Sequence, residues 1–446
     1  MTKPAKHSFR YIFLCVLFAF GLSGCNAFGD RPVPAPQPSV VPPSTVPFET
    51  ADTKTVIVYA RGMDDTEGTT KLLEAYNAQS DRYVVKYQEL ATDSNQRYQQ
   101  LVTSLTAETA EIDVFDADVV WPAEFAERGF VAPVDTYIAR DSVQQSDYLP
   151  GMVSALAYQG SIWGMPQTAS AGVLYYRTDL MDSPPATWSE LVTAAETQVS
   201  NGMLYGFVGS GAANDGLVSV ALEFIYAYGG KVLDENGNVA IQSTAAITGL
   251  ERMRQLYASI AVPSGIVSMT DNDACVSFLN GESAMMRNWP QAWAILNHAG
   301  SPIRDKFAIA PLPAGADVSV SVLGGSVIMM NAKTKNPEAA WDFMQFAAGE
   351  EGQAILAVHG GRVPALRQVM QQPDVIASNP HFGEESFIRA VENAVPRAIT
   401  PFYSAISSVM QEELQKFLLF EQDAPETAAN IDERIRALFG VTKQGA

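Results

Sequence analysis

Val56-Ile57-Val58-Tyr59 is a continuous apolar run that leads through the polar turn Arg61 to Thr66 into a helical stretch with Leu72, Leu73 and Tyr76 on one face, and then into Val84 to Leu90. A short apolar run, a turn and an apolar stripe of helical period together describe a buried strand joined to a covering helix. The alternation continues outward. Tyr98, Leu101, Val102 and Leu105 recur at helical spacing, Val114-Phe115 begins another buried strand, and a helix is expected around Glu124 to Glu127. The pattern resumes at Gly172 to Tyr176, and Thr187-x-x-Glu190 reads as a capping box opening a helix. Asn336-Pro337 supplies an N-cap and a first-turn proline for a helix burying Trp341, Phe343 and Met344. A final long helix carries Ile406, Val409, Met410, Leu414, Phe417 and Leu418 along one stripe. Alternating strands and helices imply an α/β fold with a parallel sheet covered on both faces. Ligands of such sheets collect at the carboxyl ends of the strands, and a body of roughly 390 residues divides into two lobes with a cleft between them.

The N-terminus has a different character. Lys3, Lys6 and Arg10 precede the apolar run Tyr11 to Leu22, which ends in Leu22-Ser23-Gly24-Cys25. That is the layout of a lipoprotein signal peptide, in which the run is too short to span a bilayer comfortably and Cys25 is the lipid attachment site. An uncleaved anchor helix would leave the protein on the same membrane face. Residues 26–52 contain Pro32, Pro34, Pro36, Pro38, Pro42, Pro43 and Pro47. Proline favours extended polyproline II, so this stretch reads as a semi-rigid spacer between the anchor and a body that starts near Thr53.

With Cys15 in the leader and Cys25 lipidated, Cys275 is alone in the body, and no intrachain disulfide is expected. An exported protein without disulfides depends on core burial, for which 47% hydrophobic composition is ample. Loss of Lys3, Lys6 and Arg10 with the leader takes the formal charge from −20 to −23, which argues against nucleic acid or anionic lipid as partner.

Enzyme signatures are missing. There is no G-x-S-x-G elbow, no H-E-x-x-H and no P-loop, and Gly209-Ser210-Gly211-Ala212-Ala213-Asn214 lacks the third glycine of a dinucleotide fingerprint. His298, His359 and His381 are far apart in sequence, so neither a metal nor another cofactor is expected. Glycoside hydrolysis needs only two carboxylates, and an acidic chain keeps that alternative open.

Several blocks share one likeness: Ala91-Thr92-Asp93 with Gln96-Arg97, Asp113-Val-Phe-Asp-Ala-Asp118-Val-Val-Trp121, Ala171-Gly-Val-Leu-Tyr-Tyr-Arg-Thr-Asp-Leu180, Arg287-Asn288-Trp289-Pro290, Ala310-Pro-Leu-Pro313, Leu323-Gly324-Gly325 and Glu392-Asn-Ala-Val-Pro-Arg397. In this order the chain resembles the family 1 extracellular solute-binding proteins of sugar-importing ABC transporters, most closely the trehalose/maltose-binding branch. The resemblance implies a two-lobed periplasmic-binding-protein-like fold (type II), with a first lobe at 53–164 plus 310–365 and a second at 165–309 plus 366–443. It also implies a monomer that closes on its ligand without catalysing a reaction, and that hands the ligand to membrane permease subunits driven by a cytoplasmic ATPase. The lipid anchor would hold it facing the periplasm or cell exterior.

Sugars present hydroxyls at their edge and apolar C–H faces, so a sugar site needs planar polar groups for the rim and an aromatic plane for stacking. Asp64 or its neighbour Asp65, on the loop after the first strand, and Asp118, after the Val114-Phe115 strand, are placed to accept hydroxyl hydrogen bonds. By resemblance Thr92, Asp93 and Arg97 add polar contacts, Trp289 with Gln291 beside it is the stacking platform, and Arg397 donates to sugar oxygens. Gly324 and Gly325 allow close backbone approach at a crossing between lobes. Asp118 has an alternative as a turn cap, Asp93 and Arg397 as members of structural ion pairs, and Trp289 as plain core. Two departures bear on the ligand. Where the branch has an aromatic residue and an acid after Gly164-Met165-Pro166, this chain has Thr168 and Ser170, and its tryptophan after Leu323-Gly324-Gly325 is Ser326. Trehalose, maltose, sucrose and a glucosylglycerol-type osmolyte all remain candidate ligands. A binding protein for a non-sugar solute is a third reading.

Overall fold

In the computed structural model, which describes residues 54–442 except 65, 109 and 317, the opening run becomes β1 (Thr55–Gly62), flanked in one sheet by two parallel neighbours, β2 (Tyr83–Leu90) and β3 (Val114–Asp118). A small hairpin, β4 (Ala157–Tyr158) and β5 (Ser161–Ile162), precedes β6 (Met165–Ala171). Then come β7 (Val173–Arg177), β8 (Tyr205–Val208), β9 (Ser283–Asn288), β10 (Phe307–Pro311), β11 (Leu323–Met330) and β12 (Val363–Pro364). They form two main sheets, one of six strands in the order β12-β6-β11-β3-β1-β2 and one of four in the order β10-β7-β9-β8. Each is flanked by helices, and together they make the two-lobed periplasmic-binding-protein fold. The leader, Cys25, the proline-rich stretch and Asp65 lie outside the described residues.

Both sheets are mixed, which corrects the expectation of a parallel sheet. Pairings β1–β2, β1–β3 and β8–β9 are parallel, whereas β11 runs antiparallel to both β3 and β6, and β7 runs antiparallel to both β9 and β10. The parallel pairs belong to strands joined through a helix on the same side. The antiparallel ones belong to strands that arrive from the other sheet: β6 passes directly into β7 through Gly172 alone, and β10 feeds β11 on the way back. Strand pairing also places Met165–Ala171 in the six-stranded sheet and Phe307–Pro311 in the four-stranded one, a different partition from the cuts at 164/165 and 309/310 read from sequence. An apolar strand does not reveal its neighbours, because both sheets offer the same burial.

Helix starts follow local chemistry with instructive exceptions. Thr187 accepts from Glu190 N–H as expected, but the Glu190 carboxylate reaches the N–H of Ala186, one residue before the cap. Helix Pro337–Ala348 buries Trp341, Phe343 and Met344, yet Asn336 makes no side-chain cap; its own N–H donates to Thr334. Helix Tyr403–Leu418 buries the expected stripe, and a further helix, Ala424–Thr442, follows it. No helix of the described residues is long and apolar enough to cross a membrane.

The two crossings between the sheets share one anchor. Ser321 donates to the carbonyl of Gly172 at 2.6 Å, linking the segments that leave and re-enter the six-stranded sheet. Beneath them Arg287 and Glu223, both fully buried, form a two-pronged ion pair at 2.6 and 2.9 Å. A side chain at Gly172 would collide with Glu223 Oε1, and the Val322 backbone bonds to the same carboxylate. Burial pushes the Glu223 carboxyl above its ordinary range despite the adjacent Arg287.

Candidate functional site

A cavity of about 370 Å³ opens where the ends of β1, β3, β6 and β11 face the end of β9 and the starts of helices Asp215–Ala227 and Asp271–Leu279. It is lined by twelve residues singled out from sequence: Asp64, Thr92, Asp93, Arg97, Asp118, Ser170, Trp289, Gln291, Gly324, Gly325, Ser326 and Arg397. Sequence reasoning missed Arg61, Asp116, Asn214, Asp215, Asp271, Asn288 and Arg362, which line it too. Some of these had a local signal. Asn214 caps its helix through Gly216 N–H, and Thr270 with Asp273 forms a complete capping box, so both loops announce helix starts. Arg362 had none, because it follows a helix far along the chain and arrives only through folding.

The geometry separates committed polar groups from available ones. Asp64 accepts from the N–H and hydroxyl of both Thr66 and Thr69, with Arg362 3.7 Å away. Its carboxylate holds the loop before helix Gly68–Gln79 while lining the cavity. Burial alone would raise the Asp64 carboxyl, but Arg362 and the threonine hydroxyls hold it below its ordinary value. Its contribution to stability is therefore complete above the ordinary aspartate range and is lost as pH falls from there through the lowered folded value. Asp93 likewise caps its helix through Gln96 N–H at 2.9 Å, and the carbonyl of Thr92 accepts from Arg97 at 2.8 Å.

Asp118 and Arg397, read separately as acceptor and donor, meet each other. Arg397 Nη2 donates to Asp118 Oδ1 at 2.7 Å, and Nη1 donates to Asp215. Asp215 is held in turn by the hydroxyls of Tyr403 at 2.9 Å and Ser407 at 2.6 Å. Burial raises the Asp118 carboxyl and Arg397 pulls it back, with a net upward shift. The bond joins the end of β3 to a loop packed on the other sheet, so it bridges the cavity.

Trp289 is the one aromatic residue among the described lining residues. The Arg287 guanidinium lies 4.2 Å from its ring centroid, and the indole N–H donates to Asp271 at 3.3 Å. A cation over one face leaves the other as the stacking surface. Gly324 is required beside it: an added Cβ would lie 2.8 Å from Trp289 Cζ3. Gly325 has φ +120°, and a Cβ there would strike the carbonyl of Thr168. We expect Gly325→Ala to destabilise the protein by about 1–3 kcal/mol through backbone strain, and Gly324→Ala to displace the Trp289 ring, so that ligand binding is weakened by more than the accompanying loss of stability. Parallel denaturation and titration of the two variants checks this contrast.

The two departures noted in the sequence are neighbours. Thr168 and Ser326 face each other across β6 and β11, with hydroxyl oxygens 2.8 Å apart. Five buried polar atoms on the cavity walls have no partner among the described residues: Asp116 Oδ1, Ser170 Oγ, Ser219 Oγ, Arg362 Nε and Arg397 Nε. Buried polar groups are nearly always paired, so these atoms are the exceptions in the walls behind the cavity.

Residues 62–354 match the family described as bacterial extracellular solute-binding protein. The chain belongs to that family. The relative named "Probable ABC transporter-binding protein" of Deinococcus radiodurans is 31% identical over 74% of this chain and 82% of its own length. A maltotriose-binding protein of Pyrococcus abyssi is 26% identical over 67% of this chain and 64% of its own. Among solved structures, maltose-bound MalE3 of T. maritima superposes with a TM-score of 0.80 at 32% identity, covering 86% of this chain and all of that one. The family is one of binding proteins, and no group of three or more metal-ligating side chains occurs among the described residues.

Proposed function

We propose that this solute-binding protein captures a disaccharide or related small glucoside between its two lobes and delivers it to the membrane permease of an ABC importer. The observation that carries the reading is the cavity itself, whose one aromatic lining residue, Trp289, stands among polar and charged side chains such as Arg97, Asp118, Asn288 and Arg397. A sugar ring supplies an apolar face for Trp289 and hydroxyls that both donate and accept. A volume of about 370 Å³ lies in the range of small-molecule sites. The maltose and maltotriose named for the relatives belong to the same class of ligand.

The proposed lobes are about 54–171 plus 323–365 and 172–322 plus 366–442, a division that strand pairing supports, with closure selecting the population in which Asp118 and Arg397 converge. Where the trehalose/maltose-binding branch has bulkier groups, the Thr168–Ser326 pair widens one wall, so trehalose, sucrose and glucosylglycerol stand beside maltose as candidates. Arg97, Ser170 and Arg397 are the proposed hydroxyl contacts, and Asp118 acts with Arg397. Cys25 is the proposed lipid site, with residues 26–52 as the spacer that keeps the binder near its transporter and raises the local concentration of loaded protein.

Calorimetry with trehalose, maltose, sucrose and glucosylglycerol should give at least one saturable isotherm. Trp289→Ala should weaken it by roughly 10-fold or more, given about 1.5–3 kcal/mol for a buried aromatic contact. Absence of heat with every carbohydrate, from protein of native circular dichroism, would sink the sugar assignment, and release of glucose on incubation would favour a glycosidase.

A further inference from the structure

A directed chain of side-chain hydrogen bonds leaves the cavity and returns to the first sheet at another point. Arg397 bonds Asp118 at 2.7 Å and also donates to Asp215. The second oxygen of Asp215 accepts from Ser407 Oγ at 2.6 Å, and Ser407 Oγ accepts from Gln411 Nε2 at 2.9 Å. Gln411 Oε1 accepts from Asn95 Nδ2 at 3.1 Å. Both ends of this chain stand on elements of the six-stranded sheet's side: Asp118 ends β3, and Asn95 lies in the first turn of helix Ser94–Thr106. Its middle stands on helices Asp215–Ala227 and Tyr403–Leu418, whose apolar faces pack into the second core.

The order of donors along the path is constrained. A serine hydroxyl has one proton, so accepting from Gln411 leaves that proton for Asp215. The Gln411 amide has its oxygen toward Asn95 and its nitrogen toward Ser407, and turning it over would lose both bonds. Asn95 and Gln411 are absent from the cavity wall. Asn95 is exposed and Gln411 buried, so their bond is at an outer edge of the contact between the two halves. A second bond leaves the same helix for a different partner element, Ser404 Oγ donating to Glu124 of helix Pro122–Glu127 at 2.6 Å.

We infer that Gln411 is a positioning residue that couples contact with Asn95 at the edge to the orientation of Arg397 in the cavity. Closure at the edge and presentation of Arg397 to the ligand are then one event, and affinity depends on two residues that never touch the ligand. This rests on the reading of the cavity as the ligand site of two closing lobes. When Asn95 withdraws, Gln411 loses its acceptor bond, Ser407 loses its fixed proton direction, and Arg397 keeps a less rigid partner in Asp215.

The test uses the full chain with distance labels on the two lobes, in the variants Asn95→Ala, Ser407→Ala and the pair combined. In the ligand-free protein Asn95→Ala should shift the interlobe distance distribution toward the longer population, a readout that does not depend on any sugar. With maltose as probe, each single variant should weaken binding about three- to tenfold, as expected for one hydrogen bond. The combined variant should be no weaker than the poorer single one. Asn95 and Ser407 do not touch, so independent roles would give additive losses. Additive losses, or a ligand-free distribution unchanged by Asn95→Ala, overturn the proposal. If maltose fails to bind even the wild type, the sugar reading is what suffers, and the ligand-free distances still decide the coupling.

Discussion

Arg397→Ala should abolish measurable sugar binding and at the same time lower the stability of the ligand-free protein. The guanidinium is almost fully buried between Asp118 and Asp215, and its side chain is only 2% exposed. Its removal leaves two carboxylates without the cation that bridges them. Deleting one member of a buried ion pair costs about 3–5 kcal/mol. Loss of a buried, hydrogen-bonded charge from a binding site costs about 2–5 kcal/mol of affinity, a factor of roughly 30 or more. Arg397→Lys keeps the charge but cannot reach both carboxylates with separate nitrogens, so it should fall between the two. Urea denaturation and calorimetry on the three proteins give the comparison, and an Arg397→Ala protein that binds sugar normally would remove Arg397 from the site. Acidification should act in the same direction. Burial holds the Asp118 carboxyl above its ordinary range, so the charge paired with Arg397 is lost earlier on acidification than an unperturbed aspartate would allow. Affinity should therefore start to fall while ordinary carboxylates are still ionised, and a profile flat down to their range would contradict the assigned role.

Glu223→Ala should be among the most damaging single changes in the protein. Arg287 and Glu223 are both 0% exposed, so the substitution strands a guanidinium in the core and removes the acceptor that ties Val322 to the crossing, at a cost of about 3–5 kcal/mol. A volume-matched double replacement, Glu223→Leu with Arg287→Met, should recover much of that loss, because two apolar groups leave nothing unpaired. It should still bind sugar poorly. The cation behind the Trp289 ring is gone, and Asp271 keeps only the indole N–H of its two recorded partners. Stability restored without affinity is the expected signature. Single variants that each cost less than about 1 kcal/mol would show that the pair does not anchor the crossing.

Much of the fold was legible in order along the chain. Val56 to Tyr59, Val114-Phe115 and the stripe from Ile406 to Leu418 carry their secondary structure in their apolar residues; the last two are buried throughout, whereas in the first Ile57 and Tyr59 are buried, Val58 is half-buried and Val56 is 45% exposed. Strand neighbours were not legible. Met165–Ala171 and Val173–Arg177 are adjacent in sequence, yet they lie in different sheets because a single residue, Gly172, carries the chain across.

The cavity shows the same division. Twelve residues chosen for hydroxyl-binding chemistry or by resemblance line one space, so residue type and motif picked out residues that folding brings together. Their partners could not be read in the same way. Asp64 was read as a hydroxyl acceptor and Asp93 as a polar contact or ion-pair member, and both also hold helix starts, whereas Asp215 and Arg362 were not singled out and line the wall too. A carboxylate announces only that it can accept hydrogen bonds. Whether its lone pairs go to a backbone amide, an arginine or a ligand depends on what folding brings within about 3 Å, and for Asp118 that was Arg397, 279 residues away in the sequence. Local period, capping chemistry and the character of side chains were determined by the sequence of neighbours along the chain. The partition of strands between sheets, the commitment of each charge and the bridge across the cavity were decided by tertiary structure, because pairing and burial are properties of distance in space.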